Sequence, residues 1–204
     1  MKTTLYFIRH GQTEWNKMQK MQGWLNSDLT ETGLMQATLL GEKLFQEKIK
    51  IDKLYTSPSL RACQTRDLVN KKIQASPFEN SALQEINMGL WEGKTYEEIE
   101  KNYPESWNNF WHHPEAFNGE NEGETFDELM KRSSQFLEQI LSDCKGETIG
   151  IVSHRITIKT MVAYLLKMPI QKLEDVEPNS LTKIAIDGDK VTLLTYSDIS
   201  HYSK

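Results

Sequence analysis

The chain has 204 residues, of which 24 are basic and 29 acidic, for a formal net charge of −5. That balance argues against a nucleic-acid-binding role and means that a small anionic ligand needs a local basic pocket. No stretch approaches the roughly 18 apolar residues of a membrane span, no signal peptide is visible at the N-terminus, and two distant cysteines, Cys63 and Cys144, make neither a disulfide framework nor a Cys-x-x-Cys site.

The chain order then reads as alternating strands and helices. Leu5–Ile8 has the length and side chains of a buried strand, though four apolar residues by themselves leave a helix open. It ends in Arg9-His10-Gly11, and Thr13 is placed to cap a following helix. Residues 15–25 carry Trp15, Met18, Met21 and Trp24 without a clean period, which suits a short helix and loop or a pocket wall. Thr30 caps a helix whose face reads Leu34, Ala37, Gly41, Leu44 and Phe45. Residues 51–56 are a second strand, and Ser57-Pro58 opens the next helix with Ser as cap and Pro at the first helical position. Arg61 falls just inside that helix.

Residues 73–78 make a third strand, placed at a sheet edge by Pro77. Residues 83–93 are irregular and glycine-punctuated. Thr95/Glu98 and Thr125/Glu128 are capping boxes, the second opening a long amphipathic helix through Phe126, Leu129, Met130, Phe136, Leu137, Ile140 and Leu141. Between them lies an aromatic segment with Trp107, Phe110 and Trp111. Its His112-His113 pair is a poor metal motif, because adjacent residues do not share a helix face. Residues 148–152 form a strand that runs into Ser153-His154 and a further helix. Residues 181–186 and 190–196 are a hairpin with Asp187-Gly188 at its turn.

Strand-His-helix therefore occurs twice, at His10 and His154. Parallel neighbouring strands would bring both to one sheet edge, where open α/β sheets place ligands. Arg9, His10, Arg61 and His154 could together hold a dianionic phosphoryl group, with a neutral His attacking phosphorus and the Arg pair balancing charge. Backbone N–H groups at the helix start after His154 would add donors. Glu85, in a loop after a strand, is the best-placed acid for the leaving alkoxide and could then activate water. No metal or other cofactor is required, since the arginines supply the positive charge. A zinc site from His10, His154 and Glu85 is the rival use of these atoms, disfavoured by the two guanidinium groups beside it.

Residues 9–16, Arg-His-Gly-Gln-Thr-Glu-Trp-Asn, resemble the signature of the histidine phosphatase superfamily, in its phosphoglycerate-mutase-like branch. The resemblance continues through residues 28–33, 56–62, 85–93 and 152–154, and touches the tail at 197–201. It implies a three-layer α/β/α sandwich with a mostly parallel central sheet and a small helical insertion over the site, one domain over residues 1–204. It also implies His10 as the phosphorylated nucleophile and Glu85 as proton donor, with Arg9, Gly11, Asn16, Arg61 and His154 around the phosphate and Gln22 and Gly23 facing the substrate. Arg155 stands where that family usually has Gly, and is expected either to add a cation or to crowd the pocket. Arg66, where a small residue is common, is expected to affect packing only.

The expected activity is metal-independent hydrolysis of small phosphomonoesters in the cytoplasm by a monomer or homodimer, with no nucleic-acid or membrane partner. Residues 90–93 resemble the broad-specificity phosphatases and their alpha-ribazole-phosphatase relatives. Trp15, Met21, Trp24, Trp107 and Trp111 suggest an apolar mouth suited to aryl or alkyl phosphates. The alternatives are a phosphoglycerate mutase, which would need a basic cluster near Glu85 where only Lys94 stands, and a non-catalytic phospholigand-binding module.

Overall fold

The apolar run at the N-terminus becomes the interior of β1 (Lys2–Arg9), an eight-residue strand in the middle of the sheet. The computed structural model describes residues 1–203. In chain order β1 is followed by α1 (Glu14–Lys17), α2 (Glu31–Gln46), β2 (Lys53–Thr56), α3 (Leu60–Ile73), β3 (Ser76–Glu79), α4 (Tyr96–Asn102), α5 (Pro104–His112), α6 (Phe126–Asp143), β4 (Thr148–Ser153), α7 (Arg155–Leu166), β5 (Leu181–Asp187) and β6 (Lys190–Asp198). The sheet order is β3-β2-β4-β1-β5-β6. The first four are parallel, and β5 and β6 add an antiparallel hairpin on the β1 side.

Alternation along β1 builds the two outer layers. Leu5 and Phe7 point to one face, where Phe136, Leu137 and Ile140 of α6 and Ile158, Met161 and Val162 of α7 cover them. Tyr6 and Ile8 point to the other, against Ala37, Leu40 and Leu44 of α2 and Ala62 and Val69 of α3. A third cluster lies apart, over the carboxyl end of the sheet. It is built on the fully buried Trp91, with Ile99, Phe110, Phe117 and Leu129, and holds the short helices α4 and α5 in place. The expected three-layer α/β/α sandwich with a helical insertion is thus the observed one. Among the described residues no helix is long and apolar enough to cross a membrane.

Several local expectations are met. Thr13 caps α1 in a capping box with Asn16, Thr30 caps α2, and the boxes at Thr95 and Thr125 both form. β3 is an edge strand carrying Pro77. It starts at Ser76, because α3 continues through Ile73. Gly188, at φ +58°, makes the β5–β6 turn. Arg66 ties α3 to β3 through an ion pair with Glu79.

Two expectations are corrected. The face of α2 is Gly33, Gln36, Ala37, Leu40, Gly41 and Leu44, whereas Leu34 and Phe45 are exposed. The glycines explain the rotation: a Cβ on Gly33 would lie 2.2 Å from the Gln12 carbonyl oxygen, and one on Gly41 would lie 2.9 Å from that of Val69, so these small faces are where neighbouring backbone comes closest. α3 starts at Leu60 with Ser59 as its N-cap residue, not at Ser57-Pro58. The serine hydroxyls that would cap the helix turn instead toward His154, at 2.8 Å for Ser57 and 3.3 Å for Ser59.

Candidate active site

Parallel pairing of β1 with β4 sets Arg9 opposite Ser153, so the residues that follow, His10 and His154, leave the sheet side by side. The His10 N–H donates to the Ser153 carbonyl at 3.0 Å, and the two imidazole centroids are 5.1 Å apart. His10 Nδ1 lies 2.7 Å from the Gly11 carbonyl oxygen, a contact that needs the proton on Nδ1 and leaves Nε2 as a lone pair. Burial, then the Arg61 and Arg9 guanidinium groups, hold the His10 pKa well below the usual imidazole value. His154 is held low in the same way, by burial first and then by Arg61 and His10.

Arg61 sits at the start of α3 and is 1% exposed. Two of its nitrogens donate to loop carbonyls, Nη1 to Leu25 at 2.7 Å and Nη2 to Gly23 at 2.8 Å. Its Nε donates to His10 Nε2 at 3.3 Å, on the lone pair that would attack a substrate. Burial brings its pKa down to about 10, still charged at neutral pH. Arg9 donates from Nη1 to the Val176 carbonyl at 2.5 Å, and its buried Nε has no partner. Burial, reinforced by Arg155, lowers its pKa as well.

The loop carrying Gln22 and Gly23 is shaped by a residue of the 85–93 resemblance to which the sequence assigned no role. Glu92 accepts N–H groups from Trp24 at 2.7 Å, Met88 at 3.1 Å and Leu25 at 3.2 Å, tying the insertion to the loop that holds Arg61. Gly23 has φ +52°, and a Cβ there would lie 2.1 Å from Glu92 Oε1. Asn16 uses its Oδ1 to accept from Thr13 and so leaves its amide N–H donors unengaged by that cap. Gly11 donates its N–H to Thr65 Oγ1, and a side chain on it would strike Asn179 and Gly33.

Glu85 occupies the position expected to supply donors to a phosphate. Its carboxylate accepts the N–H groups of Ile156 (3.2 Å) and Thr157 (3.1 Å) at the start of α7, the Thr157 hydroxyl (3.0 Å), and the N–H of Ile86 (3.0 Å). The expectation that these α7 amides serve the phosphate is therefore corrected: the helix dipole and the first-turn N–H groups hold the acid instead. Thr157, fully buried, is a second site residue without a sequence signal of its own.

Arg155 lines the cavity but is not a free cation. It pairs through two nitrogens with Asp175, at 2.5 Å for Nε, and its guanidinium lies 4.5 Å from the Trp111 ring centroid. It is thus held against the wall by Asp175 and Trp111.

The cavity is lined by Arg9, His10, Asn16, Gln22, Gly23, Arg61, Glu85 and Arg155, together with Lys20 and an apolar wall. His154 and Gly11 stand behind the lining, where they support it. Of the five large apolar residues expected at the mouth, Met21 and Trp111 are there; Phe110, Met88, Tyr96, Ile86 and Ile156 supply the rest. Trp107 is drawn into the aromatic cluster around Trp91, and Trp24 lies outside with its indole N–H on the Glu85 carbonyl at 2.8 Å. Among the described residues no three His, Cys, Asp or Glu are grouped to hold a metal ion, so His10, His154 and Glu85 do not form the rival zinc arrangement.

Comparison with known proteins identifies the family of the whole chain. The family model described as "Histidine phosphatase superfamily (branch 1)" matches residues 5–199. A phosphoglycerate mutase-like protein 4 of Arabidopsis thaliana is 32% identical over 95% of this chain and 84% of its own length. A metal-independent phosphoserine phosphatase of the same plant is 30% identical over 98% of this chain and 84% of its own. The solved structure of Bacillus stearothermophilus YhfR superposes with a TM-score of 0.91 at 35% identity, covering 98% of both chains. An Arg-His pair at the end of the central strand, a second His beside it and a match over nearly the whole length together place this chain in the histidine phosphatase superfamily.

Proposed function

We propose that residues 1–204 act as one domain, a metal-independent phosphatase that hydrolyses small phosphomonoesters through a phosphohistidine on His10. The observation that carries this reading is the His10 imidazole: uncharged, its Nδ1 proton tied to the Gly11 carbonyl, its Nε2 lone pair turned toward Arg61 inside the cavity.

In the first step Nε2 attacks phosphorus. The N–P bond forms as the ester O–P bond breaks, and Glu85, which must enter this step carrying a proton, gives that proton to the leaving oxygen. Arg61 re-aims its Nε–H hydrogen bond from the imidazole to a phosphoryl oxygen, the proton staying on nitrogen, and Arg9, whose Nε has no protein partner, donates to another. As negative charge moves onto these oxygens, the buried guanidinium groups stabilise it in a low-dielectric setting. In the second step Glu85, now a carboxylate, takes a proton from water. The resulting oxygen attacks phosphorus, the N–P bond breaks, and inorganic phosphate leaves.

The substrate class follows from the mouth. Met21, Met88, Phe110, Trp111 and Ile156 suit a leaving group with an apolar or aryl body, while Lys20 stands at the rim for a polar or anionic end. Relatives named phosphoserine phosphatases put phosphoserine on the panel beside aryl phosphates. Isomerisation of phosphoglycerates fits less well. The Lys94 ammonium lies over the Tyr103 ring and is absent from the cavity lining, so the insertion brings no basic cluster to grip a carboxylate. The free thiols Cys63 and Cys144 suit a reducing, cytoplasmic setting.

The test is phosphate release with EDTA present from aryl phosphate, phosphoserine, 3-phosphoglycerate, sugar phosphates, nucleotides and alpha-ribazole phosphate, with His10→Ala as control. Turnover that disappears in the variant is expected. Phosphoglycerate interconversion outpacing phosphate release would favour the mutase, and binding without phosphohistidine would favour a non-catalytic module.

A further inference from the structure

Arg132 flanks the buried stripe of α6, three residues after Leu129, four before Phe136 and next to the buried Ser133, and is itself partly buried. Its five N–H donors are all engaged. Nη1 donates to the carbonyls of Ala82 (2.8 Å) and Gln84 (2.9 Å), and Nη2 to that of Glu85 (2.9 Å) and to Glu124 Oε2 (2.8 Å). Nε donates to Glu124 Oε1 at 2.6 Å. Glu124 Oε2 in turn accepts the Asn87 N–H at 3.2 Å.

One ion pair therefore grips the chain on both sides of Glu85, through three carbonyls before and at the acid and one amide after it. From the opposite side, α7 holds the Glu85 carboxylate through Ile156 and Thr157. A loop that carries an acid loses catalytic power if its reach shifts by about an ångström. Neither Arg132 nor Glu124 lines the cavity, so neither can touch a substrate there.

We propose that the Arg132–Glu124 pair is the positioning device for the proton donor, setting where the Glu85 carboxyl stands relative to the leaving oxygen. The proposal rests on the reading of Glu85 as the acid. Lysine cannot replace Arg132 in this role, since an ammonium cannot span three carbonyls and a carboxylate in one plane.

The experiment separates a positioning role from a merely structural one by the leaving group. The phosphorylation step is timed in single turnovers of the full chain with 4-nitrophenyl phosphate, whose leaving group departs without a proton, and with an alkyl phosphate, whose alkoxide needs one. Arg132→Ala should slow the alkyl substrate by about 10²-fold and the aryl substrate by no more than about threefold. Arg132→Lys should fall between it and the parent. Equal slowing of both substrates, or no slowing of either, in a variant with the parent's circular dichroism overturns the proposal. If Arg132→Ala does not fold, Glu124→Gln, which keeps the side chain's size and removes its charge, carries the same comparison with the same two outcomes. Glu85→Gln is run alongside. A leaving-group-selective loss there without one at Arg132 refutes the positioning role alone, whereas no selective loss at Glu85 refutes the acid assignment beneath it.

Discussion

The two halves of the site are built on different principles. The phosphate side, Arg9, His10, Arg61 and His154, grows out of strand ends and a helix start inside the sheet's own core, and every one of these side chains is buried. The leaving-group side, residues 86–126 with Met21 and Ile156, is an aromatic cluster laid over that edge and packed around Trp91. On the first side Arg9, His10 and Arg61 are fixed by backbone carbonyls and His154 by the Ser57 and Ser59 hydroxyls, so their positions are a consequence of the fold. On the second side the surface is made by ring packing around Trp91, with Glu92 and Glu124 tying the insertion to its neighbours. Chemistry shared across substrates belongs to the first half, and choice among substrates to the second.

That contrast makes graded predictions. The largest effect is expected from His10→Ala, which removes the only group proposed to bond to phosphorus and should cut turnover by on the order of 10⁴-fold or more. Phosphate release and trapping of the phosphoenzyme check this; residual turnover near the parent's would break the assignment. Arg61→Lys comes next. A lysine cannot hold the Gly23 and Leu25 carbonyls and a phosphoryl oxygen together, so kcat/KM should drop by about 10²- to 10³-fold on every substrate. A loss confined to one substrate would move Arg61 to the other half of the comparison.

Acid should act on the phosphate side too. His10 and His154 are held neutral below the usual imidazole pKa, whereas His112 and His113 in the insertion are exposed. Below about pH 6.5 the unfolded chain takes up protons that these two imidazoles refuse in the fold. Stability is therefore full above that pH and falls as pH drops, by about 1 kcal/mol per pH unit for each group until its folded pKa is reached. Denaturant titrations of the parent and of His154→Gln between pH 5 and pH 8 measure the slope, and an unchanged slope in the variant contradicts it.

Gly23→Ala tests the seam between the halves. A positive φ and the approach of Glu92 both oppose a methyl group, so a stability loss of about 1–3 kcal/mol is expected, with a weaker grip on phosphate because the Gly23 carbonyl holds Arg61. Wild-type midpoints in thermal melts would show that the loop adapts freely. The smallest effect is expected for Trp111→Ala. It should raise KM for aryl phosphates by less than about tenfold and change phosphoserine little, since one lost face of apolar contact amounts to only about 1 kcal/mol. A uniform fall in kcat would mean that the ring serves the chemistry through Arg155.

How much of this was readable from the chain varies by residue. Arg9, His10 and His154 announce themselves because each follows a short apolar strand directly, and the strand pattern alone places them at one sheet edge. Arg61 was only suggestive, since a lone Arg near a helix start is usually solvated; its burial is set by the carbonyls of a loop 36 and 38 residues earlier. Thr157 and Asp175 carry no local signal, because their partners Glu85 and Arg155 are remote in sequence, and Glu92 lies in the 85–93 resemblance without a role that its neighbours reveal. Arg132, beside the buried stripe of α6, left no trace either, since its partners at 82–85 are some 50 residues earlier.

Period, caps and strand-end residues are local quantities, and from them the sequence by itself settled the alternating α/β architecture, the caps at Thr13, Thr30, Thr95 and Thr125, and the family signature. The rotation of α2 onto Gly33 and Gly41, the start of α3 at Leu60, the capture of the α7 amides by Glu85 and the pairing of Arg155 with Asp175 came only with the tertiary fold. Each is a competition for one hydrogen-bond donor, one acceptor or one close approach among segments far apart in the chain, and its winner depends on which partner the fold brings within reach.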